Sequence, residues 1–224
     1  MKWLYLSGLV FLLKFIGLAK VPDNPGENES AVITDSKMIT LSQIIDPVVL
    51  QLAFKGYFNI QDSISQNENF LAIADFSRSS TEKRFYLISM TDTTLVHIDY
   101  VSHGKYSGEL YAHSFSNEKH SLKTSLGFYK VAESYSGCHG LSIRLDGLDR
   151  GYNDNARTRA IVMHAAAYAE PSVIRELGRL GKSFGCPALP SNGFSLIADQ
   201  IKESTILFHY YPDENYLKNC IWLR

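Results

Sequence analysis

The chain has 224 residues, 45% hydrophobic and 12% aromatic, enough for one sizeable core with at most a small appendage. A formal net charge of -1, with acids and bases scattered along the chain, supplies neither a basic stripe for nucleic acid nor a polyacidic tail. Absence of internal repeats and low-complexity tracts excludes solenoids and long disordered linkers.

Residues 1–19, MKWLYLSGLVFLLKFIGLA, begin with Lys2, continue as an apolar run broken only by Lys14, and end on the small residues Gly17 and Ala19. This is the pattern of a signal peptide cleaved near Ala19. The alternative, an uncleaved anchor, would hold Lys14 in the bilayer at a cost of roughly 2.5 kcal/mol, and it is the single membrane contact the sequence suggests. An exported chain works where exposed thiols tend to be oxidised or paired.

Residues 20–68 form an N-terminal tether followed by an amphipathic helix. VPDNPGENES is polar with two prolines and reads as a tether. Asp46 and Pro47 then supply an N-cap and a first-turn proline, and Val48, Val49, Leu52, Ala53 and Phe54 recur at helical spacing up to Gly56. From residue 69 to 224 the pattern changes to short β-rich runs: FLAIADF, RFYLISM, TLVHIDYV, LGFYKVA, LSIRLDG, RAIVMH and STILFHYY. The expected fold is mainly β with a few short helices. Two of these interrupt the strands, one starting at Pro171 and running through SVIRELG, the other at GFSLIADQI with Asn192 as its cap.

Both helices flank the loop GRLGKSFGCPALP, which places Cys186 between Gly185 and Pro187. The glycine lets backbone approach a substrate closely, so the turn at Gly185 and Cys186 is a candidate oxyanion hole. His164 ends the run RAIVMH, and a strand terminus would aim its imidazole at one place. A free thiol is only a few per cent ionised at neutral pH, and a neighbouring imidazole makes it a usable nucleophile. The bland alternatives are an inert buried cysteine and a histidine satisfying a core hydrogen bond. Of the other two cysteines, Cys138 and Cys220 are candidates for a disulfide that leaves Cys186 free. SHGKYSG lacks the glycine spacing of a phosphate-binding loop, which removes nucleotides from consideration.

Taken in order, VSHGKYSG, TSLGFYKV, HGLSIRLDGLD, NDNARTRAIVMH and RLGKSFGCPAL resemble the L,D-transpeptidase catalytic domain, in the YkuD-like branch of bacterial cell-envelope proteins. The similarity runs from about Asn69 to Tyr211. It implies a β-rich L,D-transpeptidase-like catalytic domain, an exported protein of the periplasm or cell envelope, and a cysteine enzyme acting on peptidoglycan stem peptides without cofactor or metal. The family's nucleophile falls on Cys186, its general base on His164, and the rest of its signature on Ser183 and Gly185. The third member of the triad is a backbone carbonyl, here that of Ala165. Two positions depart from the widest form of the pattern: Phe184 stands where a histidine is usual, and Ala188 where a polar residue or arginine is usual.

The implied chemistry is attack of Cys186 on a tetrapeptide stem, loss of terminal D-alanine, and transfer of the acyl group to an amine as a 3-3 cross-link. The alternatives are an L,D-carboxypeptidase using water and an inactive envelope-binding module. Substrate-contact candidates are His139 for the donor groove, Asn155, Arg157 and Arg159 for a stem-peptide carboxylate, and Tyr168 as a side chain closing over the pocket. Their bland counterparts are a strand-start histidine, a solvated surface turn and a core tyrosine. A zinc hydrolase built on His139, His164 and Cys186 would lack both compact ligand spacing and an acidic partner.

Overall fold

The computed structural model describes residues 35–64, 69–138, 140–201 and 205–224. The expected signal segment and the tether VPDNPGENES lie outside the described residues. Among the described residues two helices come first, α1 at Asp35–Ser42 and α2 at Pro47–Ile64. The Asp46 carboxylate accepts from the backbone N–H of Val48 at 2.8 Å and of Val49 at 3.3 Å, an N-cap that satisfies donors the helix itself cannot.

The sequence reading ends α2 at Gly56, yet the helix runs on to Ile64. This glycine serves packing, because a Cβ there would stand 2.0 Å from Cζ of Phe128. The helix therefore lies directly on that ring, which stacks on Phe208 with centroids 4.1 Å apart and planes 6° from parallel.

Eight strands form one sheet: β1 (Phe70–Asp75), β2 (Phe85–Ser89), β3 (Thr94–Asp99), β4 (Gly127–Gly137), β5 (Gly140–Gly147), β6 (Val162–Ala165), β7 (Ala188–Leu189) and β8 (Thr205–Tyr210), in the order β3-β2-β1-β8-β4-β5-β6-β7. The chain is β-rich as its seven apolar runs predict, and β7, only two residues long, is an eighth strand. Pairings β1 with β8 and β6 with β7 are parallel, the others antiparallel.

Side chains alternate across the pleat, so the sheet divides two apolar layers. Leu71, Ile73, Ile206 and Phe208 join α2, whose Val49, Ala53, Tyr57 and Ile60 are buried against one face. Ala72, Ala74, Leu207, Tyr129, Ile143 and Met163 join Phe194 and Ile197 on the other. Central strand β8 is consequently buried at every position, polar Thr205 and His209 included.

Three further helices follow: α3 at Pro171–Leu177, α4 at Ser191–Ile197 and α5 at Glu214–Asn219. Helix α3 ends on Gly178 with φ of +69°, a left-handed C-cap. Helix α4 begins at Ser191 after Pro190, so Asn192 lies inside it and is not its cap as expected. Helix α5 lies beyond the sequence-predicted elements, although Asp213 caps it by accepting from the Tyr216 N–H at 2.7 Å.

Candidate active site

The site forms where β6 and β7 run side by side. In their parallel ladder His164 pairs with Ala188 and Ala165 with Leu189. On the other side of β6, Ser142 of β5 pairs with His164. Cys186 stands two residues before Ala188, so along the sheet it is offset from His164 by two residues, about 7 Å of strand. Its Sγ accepts from the Val162 N–H at 3.4 Å and lies 3.8 Å from the Ala160 carbonyl oxygen. Val162 and His164, two apart on one strand, project to the same face.

The His164 side chain is buried, and Nδ1 lies 2.8 Å from the Ala165 carbonyl oxygen. A carbonyl only accepts, so Nδ1 carries the proton in the neutral ring and Nε2 presents its lone pair. The Tyr168 hydroxyl is 3.4 Å from that Nε2. Burial pushes the Tyr168 hydroxyl above its ordinary pKa, and the charge of an ionised Cys186 would push it further. Tyr168 thus stands against the His164 ring, edge to face.

Ser183 braces the loop that carries Cys186. Its Oγ donates to the Cys186 carbonyl at 2.7 Å and accepts from the Gly185 N–H at 3.0 Å. Ser183 N–H donates to His103 O at 3.0 Å, and the Lys105 N–H donates to Ser183 O at 2.7 Å. The segment SHGKYSG thus serves as a clamp on the cysteine loop, with Gly104 bridged to Ser183 and Ser102 to Ala188. Behind it, Arg84 is fully buried, donating to Val101 O and to Nδ1 of His103 at 2.9 Å. Burial, then the Arg84 charge, lowers the His103 pKa to about 4, so that ring stays neutral and donates from Nε2 to Gly108 O at 3.2 Å.

The expected oxyanion donors need one correction: the Gly185 N–H is committed to Ser183 Oγ and is not aimed at an incoming oxygen. Gly185 itself has φ of +124°, where a side chain is strained, and a Cβ would meet the Lys123 carbonyl oxygen at 2.9 Å and Ile161 Cδ1 at 3.0 Å.

Burial raises the Cys186 thiol pKa, while the Val162 N–H and then the Arg159 guanidinium act to lower it. Arg159 donates to Ser116 O at 2.7 Å, Ser125 Oγ at 3.1 Å, Ser121 Oγ at 3.2 Å and Lys123 O at 2.6 Å. Its fork is turned inward onto the 116–125 segment, against the expected grip on a substrate carboxylate. Arg157 is corrected too: it pairs with Glu133 at 2.7 Å and with Asp146 on the outer face of β4 and β5. Asn155 holds Asn117, through N–H to Oδ1 at 3.1 Å and Nδ2 to O at 3.2 Å. His139 lies outside the described residues.

Cys138 and Cys220 are not paired. Cys138 is exposed at the tip of the β4–β5 hairpin, whereas Cys220 is buried and donates to Asp149 Oδ1 at 3.1 Å. Among the described residues no group of three or more His, Cys, Asp or Glu could hold a metal ion. No helix among them is long and apolar enough to cross a membrane. Phe184 is 70% exposed beside the loop, and Ala188 is fully buried in β7.

The family model of the L,D-transpeptidase catalytic domain matches residues 41–210. Among solved structures, an L,D-transpeptidase from Mycobacterium smegmatis is similar at 13% identity over 64% of this chain and 59% of that one, with a TM-score of 0.39. One from Mycobacterium tuberculosis H37Rv is similar at 14% over 64% and 58%, with a TM-score of 0.41. A helical cell shape determining protein from Campylobacter jejuni is similar at 15% over 70% and 55%, with a TM-score of 0.41. This chain thus spans less than two thirds of the length of those structures, 59% of the first. No curated protein matches it.

Proposed function

Because this chain belongs to the L,D-transpeptidase catalytic domain family, we propose that it is a cysteine acyltransferase of the bacterial cell envelope acting on peptidoglycan stem peptides. Cys186 is its nucleophile and His164 its base. The observation that carries this reading is the Nδ1 contact to Ala165 O, which leaves Nε2 as the proton acceptor on the strand beside the cysteine.

The Cys186 thiol gives its proton to Nε2 of His164, and the thiolate attacks the carbonyl carbon at the L-centre of the diamino acid in a tetrapeptide stem. As the tetrahedral adduct collapses, its C–N bond to the terminal D-alanine breaks. The imidazolium returns the proton to the departing amine, leaving a thioester on Cys186. An amine from a second stem then attacks the thioester and frees the thiol as a 3-3 cross-link forms; water in its place gives an L,D-carboxypeptidase. The Cys186 N–H is the loop donor for the oxyanion, since that of Gly185 is engaged. Burial raises the thiol pKa, which makes a neighbouring base necessary to ionise it at neutral pH.

Purified protein incubated with tetrapeptide muropeptides, with products read by mass, tests the reading. Loss of D-alanine with a cross-linked dimer is expected, and Cys186→Ala should abolish both. Turnover that survives Cys186→Ala, or none in the folded wild-type protein, would overturn it.

A further inference from the structure

A cavity of about 270 Å³ opens beside the nucleophile loop, lined by Lys119, His120, Leu122, Arg159, Ala160 and Phe184 among others. It shares a wall with the nucleophile, because the Ala160 carbonyl oxygen lies 3.8 Å from Cys186 Sγ and Phe184 is two residues upstream. The backbone around it is strained. Among the described residues four non-glycine positions have positive φ, and three of them line this cavity: His120 at 63°, Leu122 at 54° and Ala160 at 54°. Strain of this kind persists only where surrounding structure enforces it, and it clusters at ligand clamps.

The lining carries nitrogen donors and no carboxylate. Arg159 is a fixed positive wall, held by four oxygens. Lys119 and His120 are exposed at the rim and free to turn toward a ligand. Leu122 and Phe184 supply apolar surface for a methyl or short aliphatic group. An anion with a small apolar side chain fits this combination of charge, size and shape.

We propose that this cavity binds the terminal residue of the donor stem peptide through its free carboxylate, with Lys119 and His120 as the contacting groups. The assignment rests on the reaction proposed above. There the departing carboxylate lies one residue beyond the attacked carbonyl, about 3.5 Å of chain, which matches a cavity that begins at the shared Ala160 wall. The carboxylate grip expected of Arg157 and Arg159 thus passes to two neighbours that the sequence reading left aside.

The test separates binding from chemistry. In Cys186→Ala protein, a tetrapeptide stem with a free C-terminal carboxylate is titrated against the same peptide as its C-terminal amide. The acid should bind roughly three- to tenfold more tightly, the range for a charge-assisted contact at a partly exposed site. Adding Lys119→Met and His120→Gln, both at exposed positions, should abolish that preference and leave amide binding unchanged. Equal binding of acid and amide, or a preference that survives the double substitution, overturns the assignment. If wild-type protein still turns over tetrapeptides, that failure leaves the cysteine mechanism standing; if neither peptide binds and no turnover occurs, both fall.

Discussion

The Arg159 guanidinium occupies the space that a side chain on Gly185 would need, its Nη2 3.3 Å from where the Cβ would stand. A fixed cation thus backs the turn that presents Cys186, and the glycine is what lets it come so close. Arg159→Met should therefore move the pH profile of Cys186 alkylation to higher pH, because the thiolate loses a stabilising charge while the burial that disfavours it remains. Arg159→Lys should restore part of the loss. An unchanged profile in a folded Met variant would show that the charge does not reach the sulfur.

Ser183→Ala removes one hydroxyl that serves two backbone groups, the Gly185 N–H and the Cys186 carbonyl. Leaving such groups without partners costs about 1–3 kcal/mol of stability. Activity should fall further than stability alone explains, by up to about a hundredfold, since a nucleophile displaced by an ångström loses its alignment. Single-turnover kinetics on the folded variant measures the loss; a rate within twofold of wild type would mean that the clamp from Gly104 and Lys105 suffices.

Acid should destabilise the fold through two neutral histidines. His209 is buried with Nδ1 donating to Ser125 O at 3.0 Å, and its Nε2 has no partner among the described residues. Burial lowers its pKa to about 4, and burial with the Arg84 charge does the same for His103. An unfolded histidine titrates near 6.5, so between about pH 6.5 and 4 the unfolded chain binds protons that the native chain refuses. Stability is then complete above that window and lost as pH falls through it, by up to about 1.4 kcal/mol per pH unit for each ring. Asp75 and Asp149, whose carboxyl pKa values burial raises, work in the opposite sense at the acid end. The urea midpoint should fall between pH 7 and 4.5, less steeply in His209→Gln; parallel slopes would remove His209 from the account.

Gly56→Ala sets helix propensity against space. The substitution gains about 1 kcal/mol as a helix former, yet its methyl would stand 2.0 Å from Phe128 Cζ, and overpacking of that kind costs about 1–3 kcal/mol. A net loss and a lower Tm by several degrees are expected. Phe128→Leu should be less harmful when combined with Gly56→Ala than alone, a coupling that a double-mutant cycle can read.

The sequence carries the elements whose signal is local. Seven apolar runs become strands, Asp46 and Pro47 start a helix, and Pro171 and Gly178 bracket another. What it hides is held by distant contacts. Gly56 has the look of a helix stop until Phe128 is seen beneath it. Strand β7 is two residues long, too short for any alternation, and exists because β6 pairs with it. Arg159 and Arg157 have the same chemistry two residues apart, and only the fold turns one inward to the 116–125 segment and the other outward to Glu133. The clamp at His103 to Lys105 joins the cysteine loop through backbone groups, which no side-chain pattern announces.

Strand β8 joins the two halves of the sheet: β1 lies on one side of it, parallel, and β4 on the other, antiparallel, with Phe70 opposite Thr205 and Gly127 opposite His209. Being the last of the eight to be synthesised, it reaches its place after every other strand has left the ribosome. Until then β1 and β4 are open edges, and the sheet lacks the one strand that pairs with both. Nonsense mutations anywhere before Tyr210 should leave no partial enzyme, only material for proteolysis.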